Sequence, residues 1–294
     1  MKARLLTAAL AAALFLGAAP PPSPEQAWRD AIKGENEFWS AKPHAFLKIQ
    51  DEAMLGANGS ATLLGTAGKP ASYRWVQGVQ PNGIAVVRLT GDKATATWNG
   101  KTYDDATLKK GVAVGAGIEI VSSGAENFPG KVMTLILFNQ KRAEALAFKG
   151  LDYFAYDPAY RVTATFVPDP KMPKHMFRLS RGADYPYYHV GDAKFSLNGK
   201  ALTLPFYAVT NDPKKIDDLE GYFTDDLTGT LTYGGGRYVS ISDFGKFPPK
   251  SFPIDFNLAY NPLCARAPWF TCPIATDALA TAVRAGERDP HQVH

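Results

Sequence analysis

The chain has 294 residues, of which 46% are hydrophobic and 20% are charged, and its formal net charge is +4. This composition is that of an ordinary globular protein, which excludes a disordered or fibrous chain. Lysine and arginine are scattered, with no run longer than two, so the basic stripe of a nucleic-acid-binding protein is missing. We therefore expect no nucleic-acid partner.

The first 19 residues have the pattern of an export signal. Lys2 and Arg4 precede an apolar run over 5–16, and small residues follow at 17–19. A membrane anchor is the alternative, but it needs about 20 apolar residues, and this run is shorter. We expect the signal to be cleaved, leaving no stable transmembrane anchor and a periplasmic or secreted protein.

Residues 20–41 are predicted to form a proline-rich spacer and a helix. Ser23 and Pro24 suit the cap and first turn of a helix, and apolar residues recur at helical spacing as far as Trp39. The sequence therefore predicts a short N-terminal helix.

Residues 42–147 are predicted to form an N-terminal β domain, because short alternating segments are separated by glycine-rich breaks. Its clearest hairpin turns at Asn99-Gly100, a pair suited to the positive φ angles of a tight turn. The end of this region, 139–148, is predicted as a short helix or a linker turn.

Residues 148–288 are predicted to form a C-terminal β domain with a second tight hairpin at Asn198-Gly199. The spacing over 276–284 predicts a short C-terminal helix that Gly286 ends, and 289–294 is a tail. The predicted fold class is all-β, with two sandwich-like or barrel-like parts, because strands do not alternate with helices.

The run Gly234-Gly235-Gly236-Arg237 invites comparison with a phosphate-binding loop. Such a loop needs a lysine and a serine or threonine at the start of a helix, whereas strand-like residues follow here, so we exclude a nucleotide site. Arg237 remains able to bind an anion through its guanidinium. A salt bridge to Asp255 or Glu287 is an equally good interpretation.

Three polar residues nearby could each have a ligand-binding role or a structural role. Asp225 belongs to a turn signal, but beside Arg237 it would suit a ligand site. Asp255 and Asn257 would share one face of a strand, where they could hold a ligand or brace the following turn at Asn261-Pro262. Bracing is slightly favoured for this pair.

The two cysteines, Cys264 and Cys272, are close enough in sequence to form a disulfide in an oxidising compartment. A structural disulfide is favoured over a reactive pair, and the paired Cys-x-x-Cys pattern of zinc sites is missing. No metal site is predicted. Among the histidines, His189 is the best placed for a functional site, because it lies among three tyrosines, Tyr185, Tyr187 and Tyr188.

The second half resembles the bacterial family of domain of unknown function 1684. The matching segments are Gly150-Leu151-Asp152-Tyr153-Phe154, Asp157-Pro158-Ala159-Tyr160-Arg161-Val162, the series Asp225, Gly229, Thr232, Tyr233, Gly234, Gly236, Arg237 and Tyr238, then Asp255-Phe256-Asn257, Ala259-Tyr260-Asn261-Pro262, Cys264, Cys272-Pro273 and Ala285-Gly286-Glu287. The resemblance covers 148–288 and is loose before that. It implies no activity, because the family has none assigned.

The sequence departs from the family pattern after Cys272-Pro273, where a proline-rich stretch with Glu-Asn is usual and 274–277 reads Ile-Ala-Thr-Asp. If that Glu or Asn were functional, this chain would have an altered activity. Leu227 also stands where a threonine is usual.

We predict that a small polar or anionic ligand binds near the C-terminal motifs and that no cofactor is needed. The predicted ligand-binding residues are Arg237, Asp255, Asn257, Tyr260 and Asn261, with Asp225 and Tyr233 at the rim. Two alternatives stay open. One is a hydrolase that uses Asp225 or Asp255 as acid or base beside Arg237, and the other is a structural envelope protein without a small ligand.

Overall fold

The structure, a computed structural model, describes residues 22–125 and 128–291. The predicted signal peptide at 1–19 therefore lies outside the described residues, as do the last three residues of the predicted tail. Among the described helices, none combines the length and apolar character needed to cross a membrane.

The described chain begins with the predicted helix, α1, which spans Pro24–Asn36. The Ser23 hydroxyl caps it by accepting a hydrogen bond from the Gln26 backbone N–H at 3.2 Å, as the sequence predicted. A π-helical turn, Glu37–Ala41, continues it past Trp39. None of the residues of α1 is fully buried, so its attachment to the rest of the protein is shallow.

Two antiparallel sheets form a sandwich in the first half of the chain. In spatial order, the first sheet consists of Ile49–Leu55 (β1), Met133–Asn139 (β9), Ile118–Ser123 (β8) and Val112–Gly115 (β7). The second consists of Lys69–Gln77 (β3), Ser60–Thr66 (β2), Ala85–Thr90 (β4), Lys93–Trp98 (β5) and Lys101–Tyr103 (β6). Alternate side chains from both sheets, including Leu63, Val87, Ile120 and Leu135, are buried in one shared core.

The predicted hairpins are confirmed. Asn99 and Gly100 join β5 to β6 with φ angles of 48° and 72°. Asn198 and Gly199 make the equivalent turn in the second half, with φ angles of 52° and 73°. Two positive φ angles in succession match the twist of the flanking strands.

Two short helices flank the sandwich strands. Asp105–Lys110 (α2) was not predicted, although the Asp104 side chain caps it by accepting from the Thr107 backbone N–H at 2.9 Å. Ala143–Ala147 (α3) is the short helix that the sequence offered for 139–148.

The second half of the chain forms one curved sheet of eight strands, a half-barrel. Six of them lie in the order Arg237–Ile241 (β15), Leu219–Thr224 (β14), Lys200–Ala208 (β13), Tyr185–Leu197 (β12), Arg161–Pro168 (β10) and Ser251–Asp255 (β16). Lys174–Phe177 (β11) pairs with β12, and Asp277–Ala278 (β17) pairs with β14. The predicted all-β class is confirmed.

One face of this sheet holds the larger core. Phe206, Phe223, Ile254 and Phe256 are fully buried there. On the other face a cluster of tyrosines, among them Tyr222, packs around Phe177. The outer strands β15 and β16 form the two ends of the row and lie close to each other in space.

The predicted C-terminal helix over 276–284 is wrong, because this segment is extended and contributes β17. Leu279 and Val283 are four residues apart, which imitates helical periodicity. Both side chains are buried in the half-barrel core from an extended backbone, and the Val283 backbone N–H donates to Asp225 Oδ2 at 2.7 Å. Tertiary contacts therefore override the local pattern.

Candidate functional site

Arg237 is buried at the end of the half-barrel, with 1% of its surface exposed. Its guanidinium donates to Asp225 Oδ2 at 3.2 Å, to the Val283 carbonyl at 3.0 Å and to the Ala285 carbonyl. One prediction from the sequence is a salt bridge from Arg237 to Asp255 or Glu287. That prediction is wrong, because the partner of Arg237 is Asp225. Arg237 thus ties the extended C-terminal segment to the sheet.

Asp225 is equally enclosed, with none of its side chain exposed. Besides Arg237 and Val283, its carboxylate accepts a hydrogen bond from the Thr228 hydroxyl at 3.0 Å. Burial lowers the pKa of Arg237 to about 10, and the nearby Asp225 carboxylate opposes that shift. Neither side chain faces space that a ligand could enter.

Asn257 braces the chain, but it holds Asp157 rather than the predicted Asn261-Pro262 turn, because the strand ends at Asp255 and Asn257 lies in a 3-10 turn. Its amide exchanges hydrogen bonds with the backbone of Asp157, at 3.0 Å to the N–H and 2.9 Å to the carbonyl. Asp255 Oδ1 accepts from the Asn257 backbone and side chain at 3.0 and 2.9 Å. The other oxygen of Asp255 lies 3.7 Å from Arg161 Nε, facing a cavity.

Asn261 is also buried and internally bonded. Its backbone N–H donates to Glu287 Oε2 at 2.8 Å, and its side-chain amide donates to the Arg288 carbonyl at 2.8 Å. Glu287 is held in turn by Arg266 at 3.1 Å. This network fixes the turn that follows Tyr260.

Tyr260 and Tyr233 occupy different places. Tyr260 is half-buried, lines a cavity and shares a hydrogen bond with the Ser240 hydroxyl at 2.9 Å. The Tyr233 ring lies 6.2 Å from the His291 ring, near the C-terminal end of the described chain, and it borders neither of the two cavities described below. The seven predicted residues therefore do not converge on one pocket.

The predicted disulfide is wrong, because Cys264 and Cys272 are free thiols. The Cys264 backbone N–H donates to Cys272 Sγ at 3.3 Å. A hydrogen bond from the Cys272 thiol lowers the pKa of Cys264, and the same contact together with burial raises the pKa of Cys272. The prediction depended on sequence spacing and an oxidising compartment, neither of which fixes the position of the two sulfurs.

His189 lies between two carboxylates rather than in a cavity of the site. Its Nε2 is 3.0 Å from Asp192 Oδ1, and its Nδ1 is 3.4 Å from Asp169 Oδ2. In the described ranges, no group of three or more His, Cys, Asp or Glu residues is arranged to hold a metal ion.

Helix α1 and the two ends of the half-barrel enclose the first cavity, which has a volume of about 320 Å³. Arg161, Asp255 and Asp243 supply charged groups to its wall. Trp28 of α1 borders it and anchors the helix, since its indole N–H donates to the Asn257 carbonyl at 3.0 Å.

A second cavity of about 420 Å³ lies farther along the same helix. Ile32 and Glu35 of α1 face Tyr153 and Tyr260 across it, and its remaining wall is formed by Ala31, Ser240, Leu258 and Leu263. Ser240 and Leu258 border both cavities, so the two form one groove beneath α1.

Burial controls the ionisation of the groups in the second cavity. It raises the pKa of Glu35, against the opposing charge of Lys42, and it raises the pKa values of Tyr153 and Tyr260. The phenol groups therefore remain protonated at neutral pH and can donate hydrogen bonds.

Sequence reasoning missed most of the residues that line this groove. Arg161 and Tyr153 belong to the segments on which the family resemblance depends, but nothing in the sequence indicated that their side chains border a cavity. Glu35 lies in the predicted N-terminal helix, but no motif singled it out. The apolar spacing in α1 predicted a helix face in need of a partner, yet that pattern cannot say which surface the helix covers.

Residues 146–288 match the family described as "Protein of unknown function (DUF1684)". A solved structure matches as well, the solution NMR structure of an uncharacterised protein from Haloarcula marismortui, with 34% sequence identity and a TM-score of 0.41. That match covers 49% of this chain and 80% of the other.

The chain belongs to the DUF1684 family. None of the curated proteins matches it. The DUF1684 segment supplies Tyr153, Arg161, Ser240 and Asp255 to the groove. Helix α1, which supplies the opposite wall, lies before the matched segment.

Proposed function

We propose that the protein binds a small polar ligand in the groove beneath α1. The observation that carries this proposal is the pair of cavities that share Ser240 and Leu258 as walls. Their volumes of about 320 and 420 Å³ suit a small molecule, since ligand pockets commonly measure about 300–1,000 Å³. Asp255 and Tyr260, two of the seven predicted residues, border the groove.

The groove offers polar groups against apolar walls. The Ser240 hydroxyl forms a hydrogen bond with the Tyr260 hydroxyl. Along the edge of β15, the backbone of Tyr238 forms two hydrogen bonds with the backbone of Tyr260, at 2.9 and 3.0 Å. The backbone groups of Ser240, two residues on, point to the same edge of the strand. Leu258 and Leu263 supply apolar surface. A few convergent polar groups on an apolar wall are typical of ligand sites.

The charges at the wall favour a ligand rich in hydrogen-bond donors over a purely anionic one. Arg161 contributes one positive charge, whereas Asp243, Asp255 and Glu35 contribute three carboxylates. Arg237, the cation on which the anion prediction depended, is enclosed and paired with Asp225.

The second candidate function is that of a hydrolase, and Asp255 is the carboxylate that could serve as its acid or base. The Asp225 side chain has no exposed surface, so a substrate cannot reach its carboxylate beside Arg237. Asp255 does border the first cavity, 3.7 Å from Arg161, and a carboxylate beside a guanidinium could act as a base. Loss of hydrolytic turnover in Asp255→Asn, with ligand binding retained, would support this candidate.

We also propose that the protein is exported to the periplasm or secreted. The support is the arrangement of Lys2, Arg4, the apolar run and the small residues at 17–19. N-terminal sequencing of protein from fractionated cells tests it. A mature N-terminus near residue 20 outside the cytoplasm is expected, and an intact Met1 in the cytoplasm would contradict it.

The ligand proposal is tested by screening small polar molecules against the whole chain with amide NMR shifts. Ser240→Phe places a large side chain at the wall that both cavities share, so binding should be lost. Ser196→Phe is the matched control, because Ser196 is an exposed serine on β12 of the same sheet. Equal binding by both variants would show that the groove is not the site.

A further inference from the structure

The second cavity combines two aromatic rings, one carboxylate and an apolar wall. Tyr153 and Tyr260 border it from the C-terminal half, and Glu35 borders it from α1. Ile32, Leu258 and Leu263 supply apolar surface. Aromatic faces beside a carboxylate are the groups that proteins use to hold organic cations.

The electrostatic environment of both phenols is dominated by carboxylates. Glu287 and Glu35 act on Tyr153, with Arg266 opposing them, but Arg266 is itself paired with Glu287 at 3.1 Å. On Tyr260 the acting charges are those of Glu220, Asp218 and Glu35. A positively charged ligand would therefore enter a region of negative potential.

The Glu35 carboxylate has hydrogen-bonding capacity to spare. Within residues 22–125 and 128–291, no donor forms a hydrogen bond to it, and no cation lies within salt-bridge distance. Lys42 acts on it only through longer-range attraction, and the Lys42 ammonium lies 3.5 Å from the centroid of the Phe38 ring. A ligand ammonium could thus approach Glu35 without displacing an existing partner.

We propose that the second cavity binds a small organic ammonium ion, with its cationic head between the Glu35 carboxylate and the Tyr153 and Tyr260 rings. This inference rests on the proposed function and names the ligand class for one half of the groove. The alkyl part of the ligand packs against Leu258 and Leu263. Charge attraction to the Glu35 carboxylate and contact with the aromatic faces together favour the cation over a neutral molecule of the same shape.

Three probes of matched shape test the inference on the whole chain. They are choline, its neutral isostere 3,3-dimethylbutan-1-ol, and the anion 3,3-dimethylbutanoate, each titrated while amide NMR shifts are followed. We expect choline to shift residues at the second cavity and to bind at least about tenfold more tightly than the neutral isostere, through charge attraction and cation–π contact. The anion should bind most weakly.

Two variants assign the charge preference to its source. Glu35→Gln should remove the preference for choline over the neutral isostere. Glu37→Gln should keep it, because Glu37 is a carboxylate two residues away that does not border the cavity. Tyr260→Leu should weaken choline more than the neutral isostere, since only the cation gains from the ring face.

The possible failures are distinguishable. Equal binding of choline and the neutral isostere, tighter binding of the anion, or an unchanged preference in Glu35→Gln would overturn the ammonium site and leave the ligand groove standing. Absence of any shift with choline also overturns the ammonium site. The groove itself fails only if the wider screen shows no binding that Ser240→Phe abolishes.

Discussion

The Arg237 guanidinium and the Asp225 carboxylate are both closed off from water, so each depends on the other for its charge partner. Arg237→Ala would leave the Asp225 charge buried without it. Removing one partner of a buried pair costs about 3–5 kcal/mol. We expect the free energy of unfolding to fall by an amount in that range, measured by urea denaturation.

Arg29→Ala is the matched control for Arg237→Ala. Arg29 and Glu25 form an exposed pair at 2.6 Å on α1, and exposed pairs contribute at most about 1 kcal/mol. If Arg237→Ala were as stable as Arg29→Ala, the bracing role assigned to Arg237 would be wrong.

Cys264 should react as a thiolate more readily than Cys272. The Cys272 thiol donates a hydrogen bond that lowers the pKa of Cys264, whereas burial and the same contact raise that of Cys272. Cys264 is also half-buried, while Cys272 is 5% exposed. Iodoacetamide at neutral pH should therefore modify Cys264 first, with the sites identified by mass spectrometry.

The pH dependence of alkylation checks the cause. Because a lowered pKa keeps Cys264 ionised to lower pH, its rate should fall only below the range in which an ordinary cysteine loses reactivity. Cys272→Ala removes the donor and should move the fall to higher pH. An unchanged profile in that variant would contradict the thiol–thiol hydrogen bond.

At the level of elements, the sequence predicted those whose signal is local. The Asn-Gly turns require positive φ angles that few other pairs adopt, and the Ser23 cap marks where α1 begins. The segment over 276–284 has a helix-like spacing but lies extended, because Leu279 and Val283 fill the half-barrel core. That outcome depends on a sheet whose strands come from distant parts of the chain.

The candidate site was predictable only in part, for the same reason. Asp255 and Tyr260 were recognised as polar residues in a dense motif, and both border the groove. Glu35 lies more than a hundred residues away in sequence, so only the packing of α1 brings it near Tyr153. Arg237 has the chemistry of an anion-binding residue, but burial commits it to Asp225.

Helix α1 is expected to open locally more readily than the sheet beneath it. None of its residues is fully buried. Two hydrogen bonds anchor it to the C-terminal half, from the Trp28 indole N–H to the Asn257 carbonyl and from the Leu151 backbone N–H to Asn36 Oδ1 at 2.7 Å. Trp28→Phe removes one such anchor, worth about 1 kcal/mol. Amide hydrogen exchange in α1 should then become roughly fivefold faster, with β14 unchanged.

Trp98→Phe is the control for the α1 prediction, because Trp98 packs against the core of the sandwich and does not contact α1. It should leave exchange in α1 unaltered. Protection of α1 equal to that of β14 in the unmodified protein would show that the helix is a fixed part of the fold rather than a weakly held cover.

At the level of the whole molecule, a loop of the C-terminal half docks on the N-terminal sandwich. Trp269 and Phe270 pack against Ile49 and Phe138, and the Trp269 indole N–H donates to the Ile49 carbonyl at 3.1 Å. Arg181 pairs with Glu52 beside this contact. The N-terminal half also contacts the C-terminal half, because α1 precedes the sandwich in the chain but packs over the half-barrel.

Because each half contributes a segment that packs on the other, the two halves should unfold together. Trp269→Ala removes the indole from the interface. Since Trp269 is only half-buried, the cost should be about 2 kcal/mol, roughly half that of a fully buried tryptophan. We expect calorimetry to show two resolved transitions in this variant and a single one in the unmodified protein. Each half has its own core, so each can unfold separately once the coupling weakens.

Leu146→Ala controls for the loss of an apolar side chain near the boundary between the halves, because Leu146 is 71% exposed and should leave a single transition. The calorimetric and van't Hoff enthalpies should agree for Leu146→Ala and differ for Trp269→Ala. A single transition in Trp269→Ala with agreeing enthalpies would mean that the remaining contacts, including Arg181 with Glu52, suffice for coupling. The docked loop would then be a minor part of the interface.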